Sequence, residues 1–284
     1  MAKFSAPLKA LINAPFARPG PAPASAIIRD VYRAIARDAR ERKLGTRPWL
    51  AISTAATFTL NSPDSLPILH AIASEQKDQT DVQAAELMRE VGLKCISFNG
   101  IPRTINCLNE FHASLPKSVT AKLATKPSRA PTSRNVGDIS ARGRQLWDSI
   151  YAPFENKLVD KLALAHPDLP VHILNSHYGP LLSDPDVSAR GGLANTGRVL
   201  TSMVAIACLR AQTGVGPQVL SHVFGLRKGY EDGTYKADEP GESEEAVEWL
   251  VRDEGLAWIL KTVDEISQAL GGANFAQGQR DSKL

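Results

Sequence analysis

No uninterrupted apolar run in the 284-residue chain approaches the roughly 20 residues that a bilayer-spanning helix needs. The best candidate, Val199 to Leu209, is interrupted by Thr201 and Ser202. A transmembrane helix is therefore excluded. Aromatic residues are scarce at 6%, while alanine and leucine abound, a balance that favours packed helices over a β-sandwich. The three cysteines (Cys95, Cys107, Cys208) are an odd number without a Cys-x-x-Cys, so neither a disulfide framework nor a zinc ribbon fits. No Asn-x-Ser/Thr acceptor occurs. These absences point to a reducing interior, cytoplasmic or mitochondrial. A Walker A motif, a Gly-x-Ser-x-Gly elbow and a Gly-x-Gly-x-x-Gly loop are all missing, so no cofactor is expected. The net charge of +3 is too small to call for nucleic acid.

Charge is distributed unevenly. Residues 1–29 carry Lys3, Lys9, Arg18 and Arg29 but no acid, the pattern of a mitochondrial presequence. The same residues fit a short helix, Leu8 to Ala14, packed on the fold before a proline-rich turn. Between Glu110 and Asp138 five bases and three prolines stand without an acid, which reads as an exposed linker. Apolar residues elsewhere recur at helical spacing, as at Ile28, Val31, Ile35 and Ala39, or Trp147, Ile150, Phe154, Leu158 and Leu162. No period-2 strand pattern is present. The expected class is all-α.

The order of elements repeats. Trp49 to Ala56 leads through Pro63 to a short helix holding His70, and Ser202 to Leu209 leads through Gly214 to one holding His222. Ala51 to His70 spans 19 residues and Ala205 to His222 spans 17.

Two stretches carry a family resemblance. One is Arg198 to Ala207 followed by Gln218-Val-Leu-Ser-His222-Val-Phe-Gly225-Leu-Arg-Lys-Gly229. The other is Glu90 to Asn106, with Phe98-x-Gly100-x-Pro102 between two helices. Together they resemble the carboxymuconolactone decarboxylase and alkyl hydroperoxidase D-like (AhpD-like) superfamily, over roughly residues 48–112 and 196–270. The resemblance implies an AhpD-like helical fold of two fused repeats, residues 48–112 and 196–272. Around them lie an N-terminal extension (1–47), a basic linker (113–140), connecting helices (141–195) and a tail (273–284). It also implies a homo-oligomer and a small-molecule acid as substrate. The chain departs from the family's peroxidase members in lacking Cys-x-x-Cys. Thiol chemistry would need Cys95 and Cys107, 12 residues apart, to meet in space.

Decarboxylation of a lactone acid needs a group that protonates the carbanion left by carbon dioxide. His222 is the expected proton donor, with His70 as its counterpart and Glu90 or Glu245 as tautomer-setting partners. Arg198 or Arg227 would fork onto a substrate carboxylate, and His177, in the polar tract Leu174 to Gly179, would line a pocket. His172 and His177 lie about 140° apart on an α-helix and share no face, so no metal site is expected. A non-catalytic helical assembly module and a thiol-dependent antioxidant are the alternatives.

Overall fold

A computed structural model describes residues 4–185, 195–238 and 241–272. All regular structure among them is helical. The first half contains α1 (Ala6–Ile12), α2 (Ile28–Glu41), α3 (Thr46–Thr59), α4 (Ser65–Ser74), α5 (Asp81–Lys94), α6 (Ile96–Asn99) and α7 (Ile101–Ser114). Next come α8 (Lys117–Thr120), α9 (Val136–Tyr151), α10 (Glu155–Ala165) and α11 (Asp168–His172), which runs into a π-helical segment, Ile173–Leu182. The chain continues with α12 (Gly197–Gln212), α13 (Gly216–Glu231), α14 (Glu244–Val251) and α15 (Asp253–Ala269).

Local chemistry sets many of these boundaries. Thr80 and Gln83 form a reciprocal capping box at the start of α5, and the Ser243 hydroxyl accepts the Ala246 amide ahead of α14. Gly100, at φ +77°, turns the chain between α6 and α7, and Pro102 stands in the first turn of α7, where a missing N–H costs nothing.

Helices α3 and α12 lie against one another at the centre. Both are buried on nearly every side, as helices without a polar face must be. Alanine, serine and threonine let them approach closely, and the Thr57 and Thr59 hydroxyls are satisfied by the carbonyls one turn earlier. α4 and α5 pack on α3, α13 and α15 pack on α12, and α2 lies across α3, α4 and α15. A smaller cluster of Trp147, Ile150, Tyr178 and Leu182 joins α9 to the π-helical segment. Each large apolar side chain buried there contributes about 1.5–3 kcal/mol, and α9 also packs against α13.

Several expectations need correction. α1 buries no residue and leaves Leu8, Leu11 and Ile12 exposed, so it does not pack on the fold. The basic stretch is no simple solvated linker. Val119 and Leu123 are buried, Glu86 accepts the Ala124 amide at 2.6 Å, and Arg129 reaches Glu90. The helical spacing read from Trp147 to Leu162 is interrupted at Ala152 and Pro153, between α9 and α10.

Candidate functional site

The site is built where α12, α13, α9 and the π-helical segment meet. The N-terminus of α12 points its free amides at two acids brought in from distant loops. Asp184 Oδ2 accepts the Gly197 amide at 2.6 Å, while Asp238 accepts those of Arg198 at 2.6 Å and Val199 at 3.2 Å. Carboxylates suit this end of a helix because the aligned peptide dipoles leave it positive. Gly197 is required there: its φ is +68°, and a Cβ would lie 2.4 Å from Asp238 Cγ.

Lys94, fully buried, anchors Asp184. Its ammonium donates to the Leu182 carbonyl at 2.5 Å and to Asp184 Oδ1 at 2.9 Å, and lies 3.9 Å from Glu90. Burial alone would raise the Asp184 pKa. The Lys94 charge, with hydrogen bonds from Lys94, Gly197 and Thr196, outweighs it and holds the carboxyl below its usual range. Glu90 also receives Arg129 through Nη1 and Nη2 of its guanidinium, and so belongs to this ion cluster. Farther along, burial pushes Glu242 up to about 7, partly opposed by Arg47 at 3.0 Å and reinforced by Asp238 and Asp78.

Arg198 is buried and ties three helices together. Nε donates to the Ser149 hydroxyl at 2.9 Å, Nη1 to the Ser202 hydroxyl, and Nη2 to the carbonyls of Ser149 at 3.2 Å and Gly225 at 2.6 Å. All four acceptors are neutral. Burial lowers its pKa to about 10, so it stays charged at neutral pH. It also lines a cleft of about 430 Å³ with Ser149, Thr201, Asn195, Asp184 and Asp238.

His222 lies within the same region, with ring centroids 6.2 Å from both Phe98 and Tyr151. Its Nδ1 is buried and has no hydrogen-bond partner. Burial, and then the Arg198 charge, lower its pKa to about 4, so the imidazole is neutral at pH 7. The Tyr151 and Tyr178 hydroxyls meet at 3.1 Å, both held as neutral phenols by burial. A neutral base, two phenols and a guanidinium that hydrogen-bonds only neutral oxygens, with the Asp238 charge nearby, can move a proton beside an anion.

The remaining candidates lie apart from this cluster. His70 is held by the Asp81 carbonyl at 2.9 Å and packs edge-on against Phe111. Arg227 pairs with exposed Asp253 and the Val251 carbonyl at the outer end of α13. Glu245 stands in the first turn of α14. His177 bonds Ser97 at 3.2 Å, and its ring meets His172 at 5.3 Å, which corrects the α-helical reading. π-Helical winding bonds each residue to the fifth along, so residues five apart come to share a face. Among the described residues no group of three or more His, Cys, Asp or Glu side chains could hold a metal ion. Cys95 meets Cys208 at 3.5 Å.

Tyr151, Tyr178, Lys94 and Asp184 carry no local motif that marks them. Another signal is plain in the sequence although helical periodicity passes over it: the tripeptide Ser282-Lys283-Leu284, which lies outside the described residues.

No family model matches the chain, and no solved structure matches it. Two curated proteins do. Peroxisomal protein 2 of Saccharomyces cerevisiae is 29% identical over 183 residues, covering 56% of this chain and 61% of the yeast protein. Peroxisomal protein 2 of Schizosaccharomyces pombe is 26% identical over 174 residues, covering 61% of this chain and 73% of that protein. The match thus spans less than two thirds of the first relative's length. Neither name supports the mitochondrial placement expected from the acid-free N-terminal stretch, nor the cytoplasmic one expected from the cysteines and the missing Asn-x-Ser/Thr.

Proposed function

We propose that the chain is an enzyme of small-molecule acid–base chemistry, of the decarboxylase type suggested by its AhpD-like motifs, acting on a carboxylate-bearing substrate. The observation that carries this reading is Arg198, a buried guanidinium bonded only to neutral oxygens at the wall of a cleft, next to a buried imidazole with an orphaned nitrogen. Arg198 keeps one N–H unengaged, so it would attract a carboxylate by charge and a single hydrogen bond rather than by a fork. His222 is neutral and therefore acts first as a proton acceptor, contrary to the donor role expected from its position. A bound carboxylate would offset the Arg198 charge and make His222 more basic at the moment it is needed.

The test is turnover of lactone acids and 2-oxo acids by the purified chain. His222→Gln is expected to lower kcat by about 10²–10⁴-fold with folding intact. For the wild type, kcat/KM should hold from pH 8 down to about 5 and fall as His222 protonates near about 4. No turnover, together with unchanged ligand binding in His222→Gln, would remove the enzyme reading.

A second reading, a non-catalytic assembly module, is favoured by a specific observation. Both His70 and His222 are buried, and the cleft at Arg198 is lined by neither. The apolar pairs Leu220/Phe224 on α13 and Ile101/Ile105 on α7 stand exposed. A concentration-dependent dimer lost in Phe224→Ser would support it.

The printed name of both relatives supports a peroxisomal placement for this chain. Where Ser282-Lys283-Leu284 bears the terminal carboxylate, such a tripeptide is a receptor-read peroxisomal address. A fluorescent protein fused ahead of Met1 is expected to mark peroxisomes. Deleting residues 282–284 should spread it through the cytosol, and an unchanged punctate pattern would contradict this placement.

A further inference from the structure

α9 presents Arg142, Gln145, Leu146 and Ser149 to the cleft of about 430 Å³ that Arg198 also lines. These positions recur at helical spacing and share one face, with Arg142 two turns, ~10 Å, from Ser149. Arg142 also lines a second cavity of about 200 Å³, with Ser128, Arg129, Asn135 and Ser183. It therefore stands on the partition between the two. Its Nε is buried without a hydrogen-bond partner, and among the described residues no acid forms an ion pair with its guanidinium. The neighbouring cations are matched. Lys94 meets Asp184 at 2.9 Å, Arg129 holds Glu90, and Arg198 feels the Asp238 charge. Asp184 and Asp238 also line the cleft, but both are engaged by the first amides of α12. Asp138, exposed one turn before Arg142, is not bonded to it. Arg142 is thus left as a positive charge in excess. A half-buried guanidinium with an unmet donor is costly to keep, because nothing inside the chain offsets its desolvation. An anion in the cleft would offset it.

We propose that Arg142 is the anion-binding residue of the cleft and holds the carboxylate of a small monocarboxylic acid in a two-bond fork. Arg198 has too few free N–H groups for a fork, and adds its charge from the Ser149 end of the same wall. One unmatched guanidinium suits one carboxylate rather than two. Arg142 lies outside both stretches that carry the family resemblance, so no motif marks it. The inference takes its ligand class from the acid–base reading, but binding is measured without turnover.

The experiment measures binding of benzoate and 2-oxobutanoate to the purified full chain by ligand-observed NMR, with benzamide as the neutral control. Both acids should bind and benzamide should not. Arg142→Met should weaken both by about 10–100-fold, and Arg142→Lys, which keeps the charge but loses the fork, by less. The Tm of Arg142→Met should hold or rise, because this arginine bonds nothing in the fold, whereas loss of a structural arginine would lower it. Arg144→Met, which removes a charge from the same helix, should bind as the wild type does. Acid binding that survives in Arg142→Met would overturn the proposal. So would no binding of either acid, equal binding of benzamide, a fall in Tm of several degrees, or inorganic phosphate binding more tightly than either acid. Acids that bind through Arg142 but are not converted would support it and count against the enzyme reading.

Discussion

Lys94→Met is expected to destabilise the folded chain by about 3–5 kcal/mol, the range seen when one partner of a buried ion pair is removed. Methionine nearly matches the lysine stem in length, so the loss would be electrostatic rather than a cavity. It would leave the half-buried Asp184 without its cation, the Leu182 carbonyl without the lysine donor, and Glu90 without its lysine neighbour. The measurement is the urea midpoint across pH. In the wild type, Asp184 has a depressed folded pKa, so its contribution is present above the unfolded carboxylate value near ~3.9 and lost as pH falls through the folded value. In the variant, burial is opposed only by the Gly197 and Thr196 hydrogen bonds, so that pKa rises and the carboxyl protonates earlier. The stability gap should therefore narrow as the solution is acidified. A gap below ~1 kcal/mol at pH 7 would mean that the ion cluster does not hold the start of α12.

Gly143→Ala is expected to destabilise by about 2–3 kcal/mol, although alanine is the better helix former by about 1 kcal/mol. Gly143 lies in α9 where that helix meets the π-helical segment. A Cβ there would stand 2.5 Å from the Gly179 nitrogen and 2.6 Å from its Cα. Backbone cannot rotate out of the way, so the two elements must part. Trp147 would then lose its edge contact with Tyr178, now 5.1 Å between ring centroids, and the Tyr151–Tyr178 hydrogen bond would stretch. Gly137→Ala on the same helix is the control, because nothing lies within 4 Å of its Cβ. It should raise Tm slightly. Equal behaviour of the two variants in thermal unfolding and tryptophan emission would show that the close approach at Gly143 is not required.

Much of the site lies in contacts that no spacing rule reports. Arg198 opens the most apolar run of the chain and His222 stands in the helix that follows Gly214, and both enter the cluster. Tyr151 and Tyr178 lie 27 residues apart in the chain, and they meet because the backbones of α9 and the π-helical segment nearly touch. Glu90 lies on a recognisable helix, yet its partner Arg129 comes from a stretch whose bases and prolines imitate a solvated linker. The cysteines show the same limit. Cys107 follows Cys95 closely along the chain, but α6 and the turn at Gly100 intervene, and the sulfur that meets Cys95 arrives on α12.

From the sequence alone come the helical class, the turn at Gly100 and Pro102 between two helices, and His222 as the residue to test. These follow from short-range rules: side-chain periodicity and the conformations open to glycine and proline. Tertiary structure alone decided that Arg198 keeps a charge bonded to neutral oxygens, that His222 is neutral beside it, and that Lys94 and Asp184 hold the start of α12. The protonation state of a buried group depends on desolvation and on charges brought from distant parts of the chain. Neither can be read from the residues beside it in sequence.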